Sequence, residues 1–257
     1  RHQHRLHRRQ VDALMVALPQ RRVPGKIDPL ATASDVYLAE VLADSPIGYW
    51  PLAAGSGVDV VGGRDATMTG SPTSQAGPTG VAGQASGFDG TSQYGRTSTS
   101  TVFTPNGDIT FEVWAKTSNP VDEGFLLGAI APSGSQYSWF INWYLGKIEA
   151  SIGRSSTGTE YLYATTPSAL AVDQWHHFAA TLTGTTLRVY TNGTQVGSTS
   201  TTTGTRETGS AHHVSIANFN ATYMGAAQLA KATIARAAFY GSALSATRIA
   251  AHYSAGS

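Results

Sequence analysis

The sequence predicts an all-β sandwich carried behind a short helix and a basic extended arm, and three observations lead there. Charged residues make up 13% of the 257 positions, against roughly 25% in an average globular protein. Gly, Ser and Thr fill the deficit, which suits a chain of many strands joined by many turns. From Ile47 onward, runs rich in β-branched and aromatic residues recur every ~8–12 residues between turn clusters, the spacing of a sandwich or barrel. The hydrophobic content of 41% is enough for a core, and all-β sandwiches of about 200–250 residues fold as one unit.

In chain order, residues 1–32 read as the arm, and within residues 1–26 Arg1, Arg5, Arg8, Arg9, Arg21, Arg22 and Lys26 are set against one acid, Asp12. Val11–Leu18 can form a helical turn or two, but Pro19, Pro24, Gly25 and Pro29 prevent a longer helix. The net charge of +1 therefore hides a basic arm on a mildly acidic body. No aromatic side chain in the arm can stack on a base, so nucleic acid is not its expected partner. Docking to other proteins of a larger assembly, through residues 1–40, is. Residues 33–45 read as a linking helix, capped by Ser34 or Asp35, apolar at Val36, Ala39, Leu42 and Ala43, and stopped by Pro46.

Residues 46–257 form the sandwich. The strand runs are Gly48–Leu52, Gln84–Phe88, Tyr94–Arg96, Ile109–Lys116, Gly124–Ile130, Ser138–Tyr144 and Lys147–Ile152. Glu160–Ala164, Trp175–Leu182, Thr185–Thr191, Thr194–Thr199, Val214–Ala217 and Ala232–Tyr240 complete the set. In Thr110–Lys116 the set Phe111, Val113, Ala115 alternates with Thr110, Glu112, Trp114, as in a strand with two different faces. Thr183–Gly184 and Asn192–Gly193 are hairpin signals. Residues 62–87, rich in Gly, Ser, Thr and Pro, read as a long surface excursion. Ser245–Ser254 reads as a closing helix capped by Ser245.

Several classes are excluded. With no cysteine there are no disulfides, thiolate metal sites or Cys nucleophiles. No run approaches the ~18 apolar residues of a membrane helix, so membrane insertion is not expected. Nor does the N-terminus match a signal peptide, because Asp12 interrupts a short apolar stretch. Beginning at Arg1 rather than Met, the chain is expected to be trimmed or part of a longer reading frame.

Five motifs then occur in one order: DSPIGYWPL (44–52), FDG (88–90), GDITFEVWAK (107–116), DQWHHFAATLTGTTLRVYTNGTQV (173–196) and FYGSALSATRIAAHY (239–253). Together they resemble the laminin-G-like group of the concanavalin A-like jelly rolls over about 210 residues, from Asp44 onward. The resemblance implies an antiparallel two-sheet jelly-roll sandwich, with Trp50 and Trp114 filling the space between the sheets and the final helix folding over one end. It also implies a place on a virion or extracellular surface, as in phage minor tail proteins and bacterial surface proteins. The function it implies is glycan binding, adhesion or structural attachment, with copies of the chain associating inside the assembly.

Catalysis is not expected. Related glucanases carry a Glu-x-Asp-x-x-Glu strand that sets two carboxyl groups ~5 Å apart, and no glutamate here is followed two residues later by Asp. No Gly-x-Ser-x-Gly elbow in a strand–turn–helix context is present either. His176 and His177 are adjacent on a strand and face opposite ways, one expected inward and one at the surface; His212–His213 is expected in a loop. No cofactor is required. A calcium ion is allowed, since the resembled domains often hold one through aspartate oxygens. Asp59 is the position for it, although the usual acidic partner is replaced in Ile234–Ala235–Arg236. A glycan site needs an aromatic platform with hydrogen-bonding groups. In QYSWFINWYLG (136–146), Trp139, Ile141 and Trp143 take the core face, leaving Asn142 and Tyr144 on the concave side. Tyr161 and Tyr163 share a face, and IANFNATYMG (216–225) adds Asn218, Asn220 and Tyr223.

Overall fold

The computed structural model describes residues 35–81, 83–118, 124–133, 136–153, 162–200, 206–219 and 228–257. The sequence first forms helix α1 (Val36–Ala43), whose N-cap Asp35 accepts the Leu38 N–H at 2.9 Å. The first six strands are β1 (Gly48–Trp50), β2 (Ala66–Thr69), β3 (Thr73–Ala76), β4 (Gln84–Asp89), β5 (Tyr94–Thr97) and β6 (Ile109–Lys116). Next come β7 (Gly124–Ile130), β8 (Tyr137–Tyr144), β9 (Lys147–Ile152), β10 (Leu162–Thr165), β11 (His176–Thr183) and β12 (Thr186–Thr191). After β13 (Thr194–Ser200), β14 (His213–Ile216), β15 (Asn218–Phe219), β16 (Gln228–Leu229) and β17 (Lys231–Tyr240), helix α2 (Ala246–Gly256) closes the chain. Ser245 Oγ caps α2 by accepting the Arg248 N–H.

Among the described residues these strands make two sheets. The first runs β13-β12-β11-β6-β17-β4-β3, with β1 also pairing β17. The second runs β10-β9-β8-β7-β14-β5-β2, with β15 and β16 attached beside β7. Apart from the single parallel bridge between β16 and β7, every described ladder is antiparallel. The stretch read as a surface excursion instead contributes β2 and β3. Both are four-residue edge strands, Ala-Thr-Met-Thr in β2 and Thr-Ser-Gln-Ala in β3, too short for periodicity alone to flag, and pairing with β5 and β4 stabilises them.

Between the sheets lies an aromatic stack. Trp139 sits 4.8 Å from Phe111 and 4.6 Å from Phe239, nearly parallel to the latter. Its indole N–H donates to the Phe103 carbonyl at 2.8 Å, so burial strands no polar group. Trp50 joins this core, its indole donating to the Arg64 carbonyl. Asn192 and Gly193, with φ of +50° and +75°, make the hairpin between β12 and β13, where both central residues need positive φ.

Trp114 departs from expectation. It points away from the inter-sheet core into a second cluster on the outer face of the first sheet, with Tyr37, Val41, Tyr190, Tyr240 and Ile249. Helices α1 and α2 cover that face, α2 stacking Tyr253 on Trp114, so the closing helix lies on a sheet rather than over an end. A bulge in β17 between Ala235 and Ala238 makes room for this. There Arg236 takes a positive φ, and its fully buried guanidinium pairs with Asp35 at 3.7 Å. One ion pair thus ties the start of α1 to the sheet.

Candidate functional site

The outer face of the second sheet is built differently. Because alternate residues of a strand face opposite ways, committing Trp139, Ile141 and Trp143 of β8 to the core sends Phe140, Asn142 and Tyr144 outward. The register aligns their neighbours in rows: Asn142 beside Glu149 beside Thr165, Phe140 beside Ser151 beside Tyr163, and Tyr144 beside Lys147. Tyr144 is 42% exposed, Tyr163 50% and Leu145, at the hairpin tip, 57%. The patch thus shows two tyrosine rings and a leucine around an amide, a carboxyl, an ammonium and two hydroxyls.

Asn142 stands out within it. It is 8% exposed, and its side-chain carbonyl is buried with no hydrogen-bond partner. An orphaned buried acceptor costs about 1–3 kcal/mol, and an incoming donor would recover that. Beside it, burial pushes the Glu149 carboxyl above its ordinary value. Further along the face, Phe125, Phe140 and Phe219 form a small apolar cluster, Phe125 stacking on Phe219 at 4.0 Å. His213 and Ser215 of β14 face the same way, since Val214 is in the core; His213 Nε2 and Ser215 Oγ are also buried without partners. Burial, with Arg96 and His212 adding to it, lowers the His213 imidazole to about 4, so it is neutral at pH 7.

The expected ligand residues divide. Asn142, Tyr144 and Tyr163 share the patch. Asn218 lies in β15, buried, with its side-chain carbonyl unpartnered. Tyr161, Asn220 and Tyr223 fall outside the described residues, as do Arg1, Arg5, Arg8, Arg9, Arg21 and Arg22 of the arm. Glu149, Lys147 and Thr165 were not anticipated; the signal for them was the β8–β9 register, which a short turn at Leu145–Gly146 fixes.

Asp59 is not placed to hold calcium. Its Oδ1 accepts the N–H groups of Tyr49, Val61 and Gly62, and its Oδ2 accepts that of Arg64, at 2.9–3.0 Å. The carboxylate is fully buried and ringed by donors, whereas calcium needs six to eight converging oxygens. It organises the turn after β1. No cluster of three or more His, Asp or Glu side chains able to hold a metal occurs among the described residues.

The histidine pair on β11 also differs from expectation: both are buried. His176 packs beside Phe178 and Trp143 and bonds the Ala171 carbonyl through Nε2. His177, on the other face, contacts Glu112 at 3.1 Å. Glu112 also meets His252 at 3.0 Å and accepts the Tyr240 hydroxyl; His252 in turn meets Asp44, which Arg248 also binds. A Glu–His–Asp chain resembles a catalytic relay, but Glu112 and both histidine side chains are sealed from solvent under the helices, and no substrate reaches them. Its work is to hold α1 and α2 on the first sheet. His212 and His213, expected in a loop, stand at the start of β14, both buried.

Among the described residues the open face offers no carboxyl pair of the retaining kind. Retaining glycosidases need carboxyl groups about 5–5.5 Å apart, the distance between cross-strand neighbours, and those of Glu149 are Asn142 and Thr165.

The fold agrees with the family match. A profile described as the concanavalin A-like lectin/glucanases superfamily, of laminin-G type, covers residues 89–250. The chain belongs to this superfamily. No curated protein matches it in sequence. Among solved structures, this superfamily member is similar to the binding domain of botulinum neurotoxin serotype C1, with 8% identity and a TM-score of 0.59, covering 83% of this chain and 52% of that one. It is also similar to the serotype D ligand-binding domain solved in complex with N-acetylneuraminic acid, with 14% identity and a TM-score of 0.61, covering 85% and 52%. The chain spans about half the length of these neighbours, and at such identities the likeness is one of fold.

Proposed function

We propose that this chain is a non-catalytic carbohydrate-recognition module that binds glycan on the outer face of its second sheet. The buried, unpartnered carbonyl of Asn142, set between the exposed rings of Tyr144 and Tyr163, carries the reading. Sugars present apolar ring faces and hydroxyl donors, and this patch supplies aromatic faces and acceptors. The neighbouring serotype D domain, solved with N-acetylneuraminic acid, supports the ligand class. A glycan array with the intact chain, then with Tyr144→Ala and Tyr163→Ala, tests it. Each ring is expected to contribute about tenfold in affinity, corresponding to the upper part of the 0.5–1.5 kcal/mol of a ring contact. Retention of no glycan by the intact chain would sink the reading.

A second reading is structural attachment, as a decoration of a virion or cell-surface assembly without a glycan ligand. It draws on the buried Asp35–Arg236 pair, which fixes the point where the basic arm joins the domain. On either reading we place the chain at a virion or extracellular surface, with residues 1–34 docking it to protein partners. Removing those residues while keeping α1 tests that role; undiminished incorporation into the parent assembly would refute it.

A further inference from the structure

The helices leave part of the first sheet's outer face uncovered, and a cleft of about 310 Å³ lies there, at the lower end of the ~300–1,000 Å³ usual for ligand sites. Its floor is one cross-strand row: Thr73 of β3, Gly87 of β4, Thr233 of β17 and Lys116 of β6. These face outward because Phe88 and Ala232, their alternates on β4 and β17, are in the core. Gly87 keeps the floor low, since a Cβ there would stand 2.7 Å from Thr73 Oγ1. Lys231, two residues before Thr233, shares the face and is the diagonal neighbour of Lys116, about 7–8 Å away at Cα.

Two lysines and two aspartates line this cleft, Asp89 standing directly opposite Lys231 in the register, and the donors left over are those of the lysines. The carboxylate of Asp89 is taken up by its own loop: Oδ1 accepts the N–H groups of Thr91, Ser92 and Gln93, and Oδ2 the Ser92 hydroxyl. Those bonds hold it ionised, well below the usual carboxylate range. Gln93 donates to the carbonyls of Gly70 and Ser71, and Gln75 to Thr73. Asp173, the other acid lining the cleft, is exposed to water at its rim. Among the described residues neither lysine forms a salt bridge. Lys116 lies 5.4 Å from the centre of the Trp175 ring instead, which holds its ammonium at the cleft wall beside an aromatic surface.

We infer that this cleft is a second binding site, separate from the tyrosine patch, for an acidic saccharide whose carboxylate or sulfate lies between Lys116 and Lys231. The ammonium groups bind the anion, Thr233 and Thr73 face the ring hydroxyls, and the small volume limits occupancy to one or two sugar rings.

The test is calorimetric titration of the full chain at low and moderate salt. The probes are an oligogalacturonate, a sulfated hexose oligomer and a neutral gluco-oligomer. Binding of either acidic probe but not the neutral one is expected, weakening with salt, and the two acidic probes separate carboxylate from sulfate recognition. Lys116→Gln and Lys231→Gln should each lower that affinity about tenfold, the loss of one charge-assisted hydrogen bond. Lys231→Arg should retain most of it. Arg188→Gln on β12, a charge change outside both the cleft and the tyrosine patch, should leave it unchanged. The glycan-array signal of the tyrosine patch is read separately, so failure here and failure of the tyrosine-patch reading are distinguishable. Equal binding of the neutral probe, binding insensitive to both lysine variants, or no binding of either acidic probe would overturn the assignment.

Discussion

Replacing Glu112 by Gln removes one charge and almost no volume, so its effect isolates the buried network. In the native protein the carboxylate meets His177 at 3.1 Å and His252 at 3.0 Å and accepts the Tyr240 hydroxyl, with no exposure to water. Glu112 is held well below the usual carboxylate range against the cost of burial, by the charge of His252 and the hydrogen bonds of both histidines. His252 is shifted upward, burial opposing and Glu112 and Asp44 prevailing. Breaking a buried pair by removing one partner costs about 3–5 kcal/mol, and in a domain of this size each kcal/mol moves Tm by about 2–4 °C. Glu112→Gln should therefore lower Tm by roughly 6–20 °C. The pH dependence gives the sharper test. A histidine raised in the folded state contributes stability that is complete below its unfolded value of about 6.5 and fades as pH rises through the folded value. The lowered Glu112 contributes stability present above its unfolded value and lost as pH falls toward the folded one. Urea unfolding from pH 5 to 9 should show native stability declining above neutrality by an increment that Glu112→Gln and His252→Ala both abolish. A Glu112→Gln protein within about 0.5 kcal/mol of the native one, the usual span of a neutral surface change, or with the same alkaline decline, would refute the reasoning.

Two other predictions concern buried aspartates. Asp59→Ala leaves four backbone N–H groups without their acceptor and should cost about 3 kcal/mol or more, while a calcium chelator leaves native Tm unchanged; a chelator-sensitive Tm would restore the metal reading. Asp35→Ala removes both the α1 cap and the partner of buried Arg236, at a cost of about 3–5 kcal/mol. Arg236→Met with Asp35→Ala should recover part of it, as urea midpoints will show, and no recovery would count against the ion pair as the tie.

The strands with alternating or β-branched runs were legible because core burial writes a period of two into them. Trp139, Ile141 and Trp143 take the predicted face for that reason, and Asn192–Gly193 takes its turn because few other residues tolerate both angles. β3 was not legible, since a fully exposed polar edge strand has no buried face to leave a pattern, and β2 was not, since only Ala66 and Met68 of its four residues turn to the core. Trp114 and Glu112 alternated correctly with Phe111 and Val113, but alternation cannot say that helices cover the second face. Asp59 shows the same limit for chemistry: an aspartate ringed by backbone donors and one that coordinates a cation look alike until the turn around it is known.

That limit explains why the outer faces were harder to read than the fold. A sheet has two faces, and in this protein each outer face has a different fate. The first sheet spends part of its outer face on a buried ionic network that holds two helices, and α1 joins the basic arm. The second sheet has exposed rings and unsatisfied polar atoms across its outer face. An arm that docks on the side of the first sheet would leave the second sheet turned away from the docking point, which is where a recognition surface is useful. The arrangement therefore ties the two readings together: if truncation of residues 1–34 releases the protein from its assembly while the Tyr144 and Tyr163 variants lose only glycan, attachment and recognition are separate functions on opposite sides of one sandwich.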